Sequence, residues 1–241
     1  PGADPRTLAV AYYVLDEPAD AFFRRIGRPM GDPGRTVRVE AGTFTMGSPE
    51  EVGQERERPA HPVTLTRAFR MGVTPVTDRR WRAFVGGSGG TDVPATGMDW
   101  YAARLYAGWV GGDLPTEAEW EHSCRAGSTG LWCFGDEAAR LGEYAWYDKN
   151  AKAPMPVAEK KPNAWGLYDM HGNVWEWCVD DLRSYDPAAV IDPQASFGGR
   201  RVIRGGAFWN GAKGCRSAFR FQWLPWVRDV NLGFRVRLPA P

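Results

Sequence analysis

Twelve tryptophans and 29 glycines stand in a chain of 241 residues. Each tryptophan brings a large ring and one N–H that needs an acceptor once buried. Each glycine brings a backbone that turns where other residues cannot. Together they predict an irregular, loop-heavy fold, not a helix bundle or a doubly wound sheet. The length allows one large domain or two small ones. An apolar content of 43% is enough for a real core.

Charge narrows the function classes. Thirty basic and 29 acidic residues leave a net charge of +1, which argues against a general nucleic-acid or membrane-surface binder. No apolar run approaches the roughly 18 residues of a membrane span. Arg outnumbers Lys 25 to 5 and the amides number eight, a bias that fits a hot source or simply a GC-rich genome. The opening Pro-Gly-Ala-Asp-Pro reads as a trimmed or processed start, which leaves the native localisation open. Cys124, Cys133, Cys178 and Cys215 form no C-x-x-C pair and read as scattered, partly buried thiols.

Residues 1–35 read as an N-terminal extension or linker, with a strand over Leu8–Leu15, a short helix over Ala19–Ile26, and a Gly- and Pro-rich stretch from Gly27 to Gly34. One domain is expected over 36–241. Val37–Val39 and Gly42–Met46 read as strands around a turn, and residues 61–69 alternate. Thr77, Asp99 and Thr116 are candidate helix caps, the last in a Thr-Glu-Ala-Glu capping box. After Gly127 the helix signals stop. Helices first and short strands later indicate α+β.

Several segments carry a resemblance. They are Gly42-Thr-Phe-Thr-Met-Gly-Ser48, Val73-Thr-Pro-Val-Thr77, Leu114-Pro-Thr-Glu-Ala-Glu-Trp-Glu121, Gly166-Leu-Tyr-Asp-Met-His-Gly-Asn-Val-Trp-Glu-Trp177, Arg204-Gly-Gly206 and Gly233-Phe-Arg235. In this order they resemble the formylglycine-generating enzyme (sulfatase-modifying factor) family across about residues 36–238. The resemblance implies a C-type-lectin-like fold with two or three helices, short irregular β-sheets and long loops.

Function divides within that family. Its copper-dependent oxidases use a cysteine pair, whose thiolates suit Cu(I). Here Cys215 matches the second position and Asn210 the first, so the resemblance implies no catalysis and no copper. A copper-dependent formylglycine-generating oxidase, or another enzyme of the family, is the alternative. A non-haem iron site would need two histidines and a carboxylate, but His61, His122 and His171 share no ligand spacing.

The C-terminal segment resembles the variable region of diversity-generating retroelement proteins, which display altered side chains on a lectin-like scaffold. The matching skeleton is Ala212, Cys215, Arg216, Ser217, Ala218, Arg220, Pro225, Arg228 and Gly233-Phe-Arg235. The positions between imply a ligand-binding surface of Trp209, Asn210, Gly211, Gly214, Phe219, Phe221, Gln222, Trp223, Leu224, Trp226, Val227, Asp229, Val230 and Asn231. Such a surface implies a macromolecular ligand, with a protein favoured over a small sugar. The skeleton arginines are expected to hold the loops through backbone carbonyls. From the residues themselves, 219–227 reads either as a buried hairpin or as a displayed loop, and Pro225 excludes a central strand there.

Residues 200–241 carry +8 and the remainder −7. Internal pairing would cancel this; a basic aromatic surface would use it for an acidic or nucleic-acid partner. Nucleic acid is not favoured, because several of these arginines belong to the skeleton. Finally, the resemblance implies a structural Ca²⁺ loop with Asp169 and Glu176 oxygens and the Gly172 and Val174 carbonyls.

Overall fold

Strand Trp175–Asp181 (β5) is buried along nearly its whole length, and the molecule is built around it. The computed structural model describes residues 7–8, 17–194 and 198–240. β5 pairs antiparallel with Arg201–Arg204 (β7), which pairs antiparallel with Arg220–Trp223 (β8); Leu232–Gly233 (β9) runs parallel on the other side of β5. The spatial order is β8-β7-β5-β9, so β8 is an edge strand.

Alternation along this sheet feeds two cores. Trp175, Trp177, Val179 and Ile203 face helix Trp100–Trp109 (α3), which contributes Trp100, Leu105 and Tyr106. Cys178 and Val202 face helix Glu117–Arg125 (α4), which contributes Trp120 and Cys124. Burial on both faces leaves β5 apolar on each side, with Trp177 toward one core and Cys178 toward the other. Two of the core tryptophans find strong acceptors: Trp100 Nε1 donates to the Cys178 carbonyl at 2.8 Å and Trp120 Nε1 to Glu176 Oε2 at 2.7 Å.

The expected caps hold α3 and α4. Asp99 accepts from the Ala102 N–H at 3.0 Å, and Thr116 and Glu119 form the reciprocal box. Thr77 precedes helix Asp78–Phe84 (α2) without a side-chain cap. The expected strands Thr36–Val39 (β1) and Gly42–Met46 (β2) form, but they do not pair with each other. β1 pairs with Phe69–Gly72 (β4), and β2 with His61–Leu65 (β3). Val190–Ile191 (β6) extends the β2–β3 sheet, and Arg237–Pro239 (β10) the β1–β4 sheet. A further short helix, Leu141–Tyr144, follows a 3₁₀ turn.

The first 35 residues are more than a linker where they are described. Helix Ala19–Arg25 (α1) buries Phe22 and Phe23 in the α3 core. Trp109 Nε1 donates to the Pro29 carbonyl at 2.8 Å, and Gly31 N–H to the Trp109 carbonyl at 2.9 Å. Of the strand expected over Leu8–Leu15, Leu8 is helical and the rest lies outside the described residues. No described helix is long and apolar enough to cross a membrane.

Candidate binding surface

Two loops frame the β8 edge. The first, 205–219, starts at Gly205-Gly206, with φ of +92° and +76°. A Cβ on Gly206 would sit 2.7 Å from the Gly214 carbonyl oxygen and 2.9 Å from Cys215 Sγ. Only glycine lets the loop fold back so closely. Asn210 Oδ1 accepts the Ala207 N–H at 2.8 Å and closes the turn. The second loop, 224–231, crosses from β8 to β9 at the opposite edge. It is pinned to the start of α3: the Pro225 carbonyl accepts the Trp100 N–H at 2.9 Å, the Asp229 carbonyl accepts the Gly97 N–H at 3.0 Å, and Arg228 pairs with Asp99 at 2.7 Å.

β8 resolves the segment that the sequence left between core and display. Its period is two. Phe219, Phe221 and Trp223 lean on the α3 core, with the Phe219 and Phe221 rings 5.9 and 6.3 Å from Trp175. Arg220 points to the opposite face. Pro225 falls just past the strand end.

The fourteen expected surface residues therefore separate. Trp209, Trp226 and Val230 are 58%, 63% and 69% exposed, and Gly211 is open to solvent. Asn210, Gly214, Phe219, Phe221, Gln222, Trp223, Leu224, Val227 and Asp229 are half-buried. Asn231 is buried and does not belong to a surface: its N–H donates to Asp229 Oδ1 and its carbonyl accepts the Trp175 N–H.

The skeleton arginines do more than hold carbonyls. Arg216 forks onto Glu57, Arg220 onto Glu117 and Arg235 onto Glu176, Arg228 pairs with Asp99, and outside that skeleton Arg204 reaches Glu121. Carbonyls take remaining donors: Arg220 reaches those of Arg56 and Arg183, and Arg235 those of Gly72 and Tyr168. Burial alone would raise the Glu121 pKa, but Arg125, Arg204 and the Gly47 N–H outweigh it and hold that carboxyl below its ordinary value. Internal pairing thus absorbs the basic C-terminal end. None of these carboxylates was read in the sequence as an arginine partner, and Glu176 was read as a calcium ligand; the opposite charge imbalance of the two parts of the chain was the available signal.

The cysteines are free thiols. Cys215 is fully buried, and burial pushes its thiol up to about 12. The His171 ring lies between three cysteine-bearing segments. Its Nδ1 donates to the Cys215 carbonyl at 2.8 Å, its Nε2 accepts the Cys133 N–H at 3.1 Å, and Cys124 Sγ lies 3.9 Å away. Burial pushes the imidazole down to about 4, so it is neutral at pH 7.

The expected calcium ligands do not fit a calcium site. Both Glu176 oxygens are held by Arg235, and one also accepts from Trp120. Both Asp169 oxygens accept N–H groups, from Ala158 and Asn173. Glu176 is already neutralised, and the Gly172 and Val174 carbonyls do not replace its charge. No cluster among the described residues offers three ionisable metal ligands. Melting temperature is expected to be the same in calcium and in EDTA; a fall on chelation would restore this loop as a metal site.

Residues 26–238 match the sulfatase-modifying factor enzyme 1-like domain. The chain belongs to that family. It is 29% identical to the formylglycine-generating enzyme of Streptomyces coelicolor, over 86% of this chain and 90% of that protein. It is 30% identical to the hercynine oxygenase of Mycolicibacterium thermoresistibile, over 87% of this chain and 60% of that one. It is 31% identical to the serine/threonine-protein kinase Pkn1 of Chlamydia trachomatis over 83% of this chain, but spans only 37% of that protein's length.

Among solved structures, Treponema denticola variable protein 1 superposes with a TM-score of 0.75 at 25% identity, covering 88% of this chain and 98% of that one. PvdO from Pseudomonas aeruginosa superposes at 0.72 and 26% identity, over 87% and 100%. The fold is the C-type-lectin-like α+β fold of this family, as the sequence motifs implied. Its relatives include both enzymes and a variable protein, so membership alone leaves catalysis undecided.

Proposed function

We propose that this chain is a non-catalytic binding protein that presents residues 205–231 to a protein ligand. One observation carries the reading. Of the twelve tryptophans, only Trp209 and Trp226 are exposed, and both lie in this segment. An exposed tryptophan is a natural interface anchor, because a large ring is buried on binding at little conformational cost. At about 25 cal/mol/Å², a ring burying roughly 150–250 Å² gains some 4–6 kcal/mol gross before ordering costs. Asn210, which supplies no thiol, and a single buried, protonated Cys215 support the non-catalytic side of the reading, since together they offer no thiolate pair.

Panning a displayed library of random peptides against the chain tests this. Binders are expected to lose at least roughly tenfold in affinity to Trp209→Ala and Trp226→Ala, with unfolding free energy unchanged within about 0.5 kcal/mol. Trp223→Ala is expected to destabilise by about 2 kcal/mol, because its ring rests on the core. Binders indifferent to both exposed tryptophans would overturn the surface. Turnover of a cysteine-containing sulfatase peptide with Cu(I) and oxygen, lost in Cys215→Ser, would overturn the absence of catalysis.

A further inference from the structure

On another part of the molecule, a pocket of about 330 Å³ lies between the chain entering β1, the turn after β4 and the start of α2. Its charged lining is Arg35, Arg79, Arg80 and Asp92, a net charge of +2. Asp92 is engaged: Arg79 donates to its two oxygens at 3.2 and 3.5 Å. The neighbouring carboxylates are engaged as well. Asp78 accepts from Arg82 and from the Thr91 N–H, and Asp32 accepts the Gly34 N–H. Among the described residues, neither the Arg35 nor the Arg80 guanidinium has a hydrogen-bond or ion-pair partner.

Arg80 is half-buried and tightly placed. Gly34, at φ +78°, packs directly on it: a Cβ there would sit 1.6 Å from Arg80 Nη1. The glycine therefore makes room for the guanidinium. Arg35 follows immediately, and its carbonyl accepts the Val73 N–H at 3.0 Å, which anchors its backbone at the pocket rim. A guanidinium drawn partly out of water with five unused donors is unfavourable unless an anion completes it. Its planar fork matches the oxygens of a phosphate group bidentately. The contrast with the rest of the fold is instructive, since Arg204, Arg216, Arg220 and Arg235 each have a carboxylate.

We infer that this pocket binds a small phosphate-type oxyanion, with Arg80 as its fork and Arg35 closing over it from the chain that enters β1. The site is separate from the exposed tryptophans. The volume leaves room for a substituent beyond the phosphate group itself. Titration calorimetry of the chain with inorganic phosphate and with glycerol 3-phosphate, at matched ionic strength, distinguishes the free ion from a monoester. Arg80→Ala and Arg35→Ala are expected to weaken whichever probe binds by at least roughly tenfold, Arg80→Lys less, and Arg79→Ala by under about threefold. Melting curves verify that each variant is folded, and the exposed Arg35 provides a readout should Arg80→Ala not fold. Absence of binding by both probes at about 10 mM would overturn the site. Affinity unchanged in Arg35→Ala and Arg80→Ala would do the same, marking an adventitious ion only.

Discussion

Arg235→Ala is expected to remove about 3–5 kcal/mol of stability, the largest loss from any single substitution considered for this chain. Both partners are fully buried. The guanidinium donates to Glu176 at 2.6 and 2.7 Å and to the Gly72 and Tyr168 carbonyls at 3.0 Å each. Removing it leaves Glu176 charged and unpaired between the two cores, with only the Trp120 N–H for company. Two carbonyls lose their donors as well. At roughly 2–4 °C per kcal/mol for a domain of this size, melting should fall on the order of 10 °C. Arg235→Lys keeps the charge but not the fork and should lie between. Urea unfolding measures both. A loss below about 1 kcal/mol for Arg235→Ala would mean that the pair is solvated and that its burial is misjudged.

Acid should weaken the fold through His171. Its imidazole titrates near 6.5 when unfolded and near 4 in the folded chain, because burial disfavours the charged ring and Arg125 adds repulsion, which the Cys215 carbonyl only partly offsets. Between those values the unfolded state binds the proton and the folded state does not. Stability is therefore intact above pH 6.5 and falls as pH is lowered toward 4. The full effect is about 3 kcal/mol. Asp169 and Glu119 run the other way: burial raises both, so each contributes more as pH falls. The informative quantity is thus the difference between wild type and His171→Gln, which retains a donor for the Cys215 carbonyl. That difference should shift by about 3 kcal/mol between pH 7 and pH 4. Parallel pH profiles for the two proteins would exclude His171 as the source.

Local signals were legible wherever a few neighbouring residues determine the outcome. The Asp99 and Thr116 caps, the helix over residues 19–25 and the strands at 36–39 and 42–46 all depend on contacts within a turn or on alternation. Pairing was less legible. β1 finds β4 and β2 finds β3 because the sheets separate, and nothing within residues 36–46 encodes that choice. The segment at 219–227 was ambiguous because an edge strand with one face on the core and aromatic residues at alternate positions has intermediate burial, which matches neither template. The binding surface depended on the motifs, and burial then removed Asn231 and drew Phe219, Phe221 and Trp223 partly inward. In the loop read as a calcium site, Glu176 meets an arginine 59 residues later, a long-range pairing that the local motif does not encode.

The pairing of early acids with late arginines also bears on the order in which the protein is made. Glu57, Glu117, Glu119, Glu121 and Glu176 leave the ribosome well before Arg216, Arg220, Arg237, Arg204 and Arg235, their respective partners. Until those arginines emerge, burying Glu57, Glu117 or Glu176 would strand charge in an apolar interior at several kcal/mol apiece, whereas Glu121 already has Arg125 one turn away. The closing strands β9 and β10 arrive in the same stretch, and each is needed to complete a sheet begun far upstream. Closure of the tryptophan-rich core therefore waits for residues 204–239, a stretch that contains the segment proposed to meet the ligand.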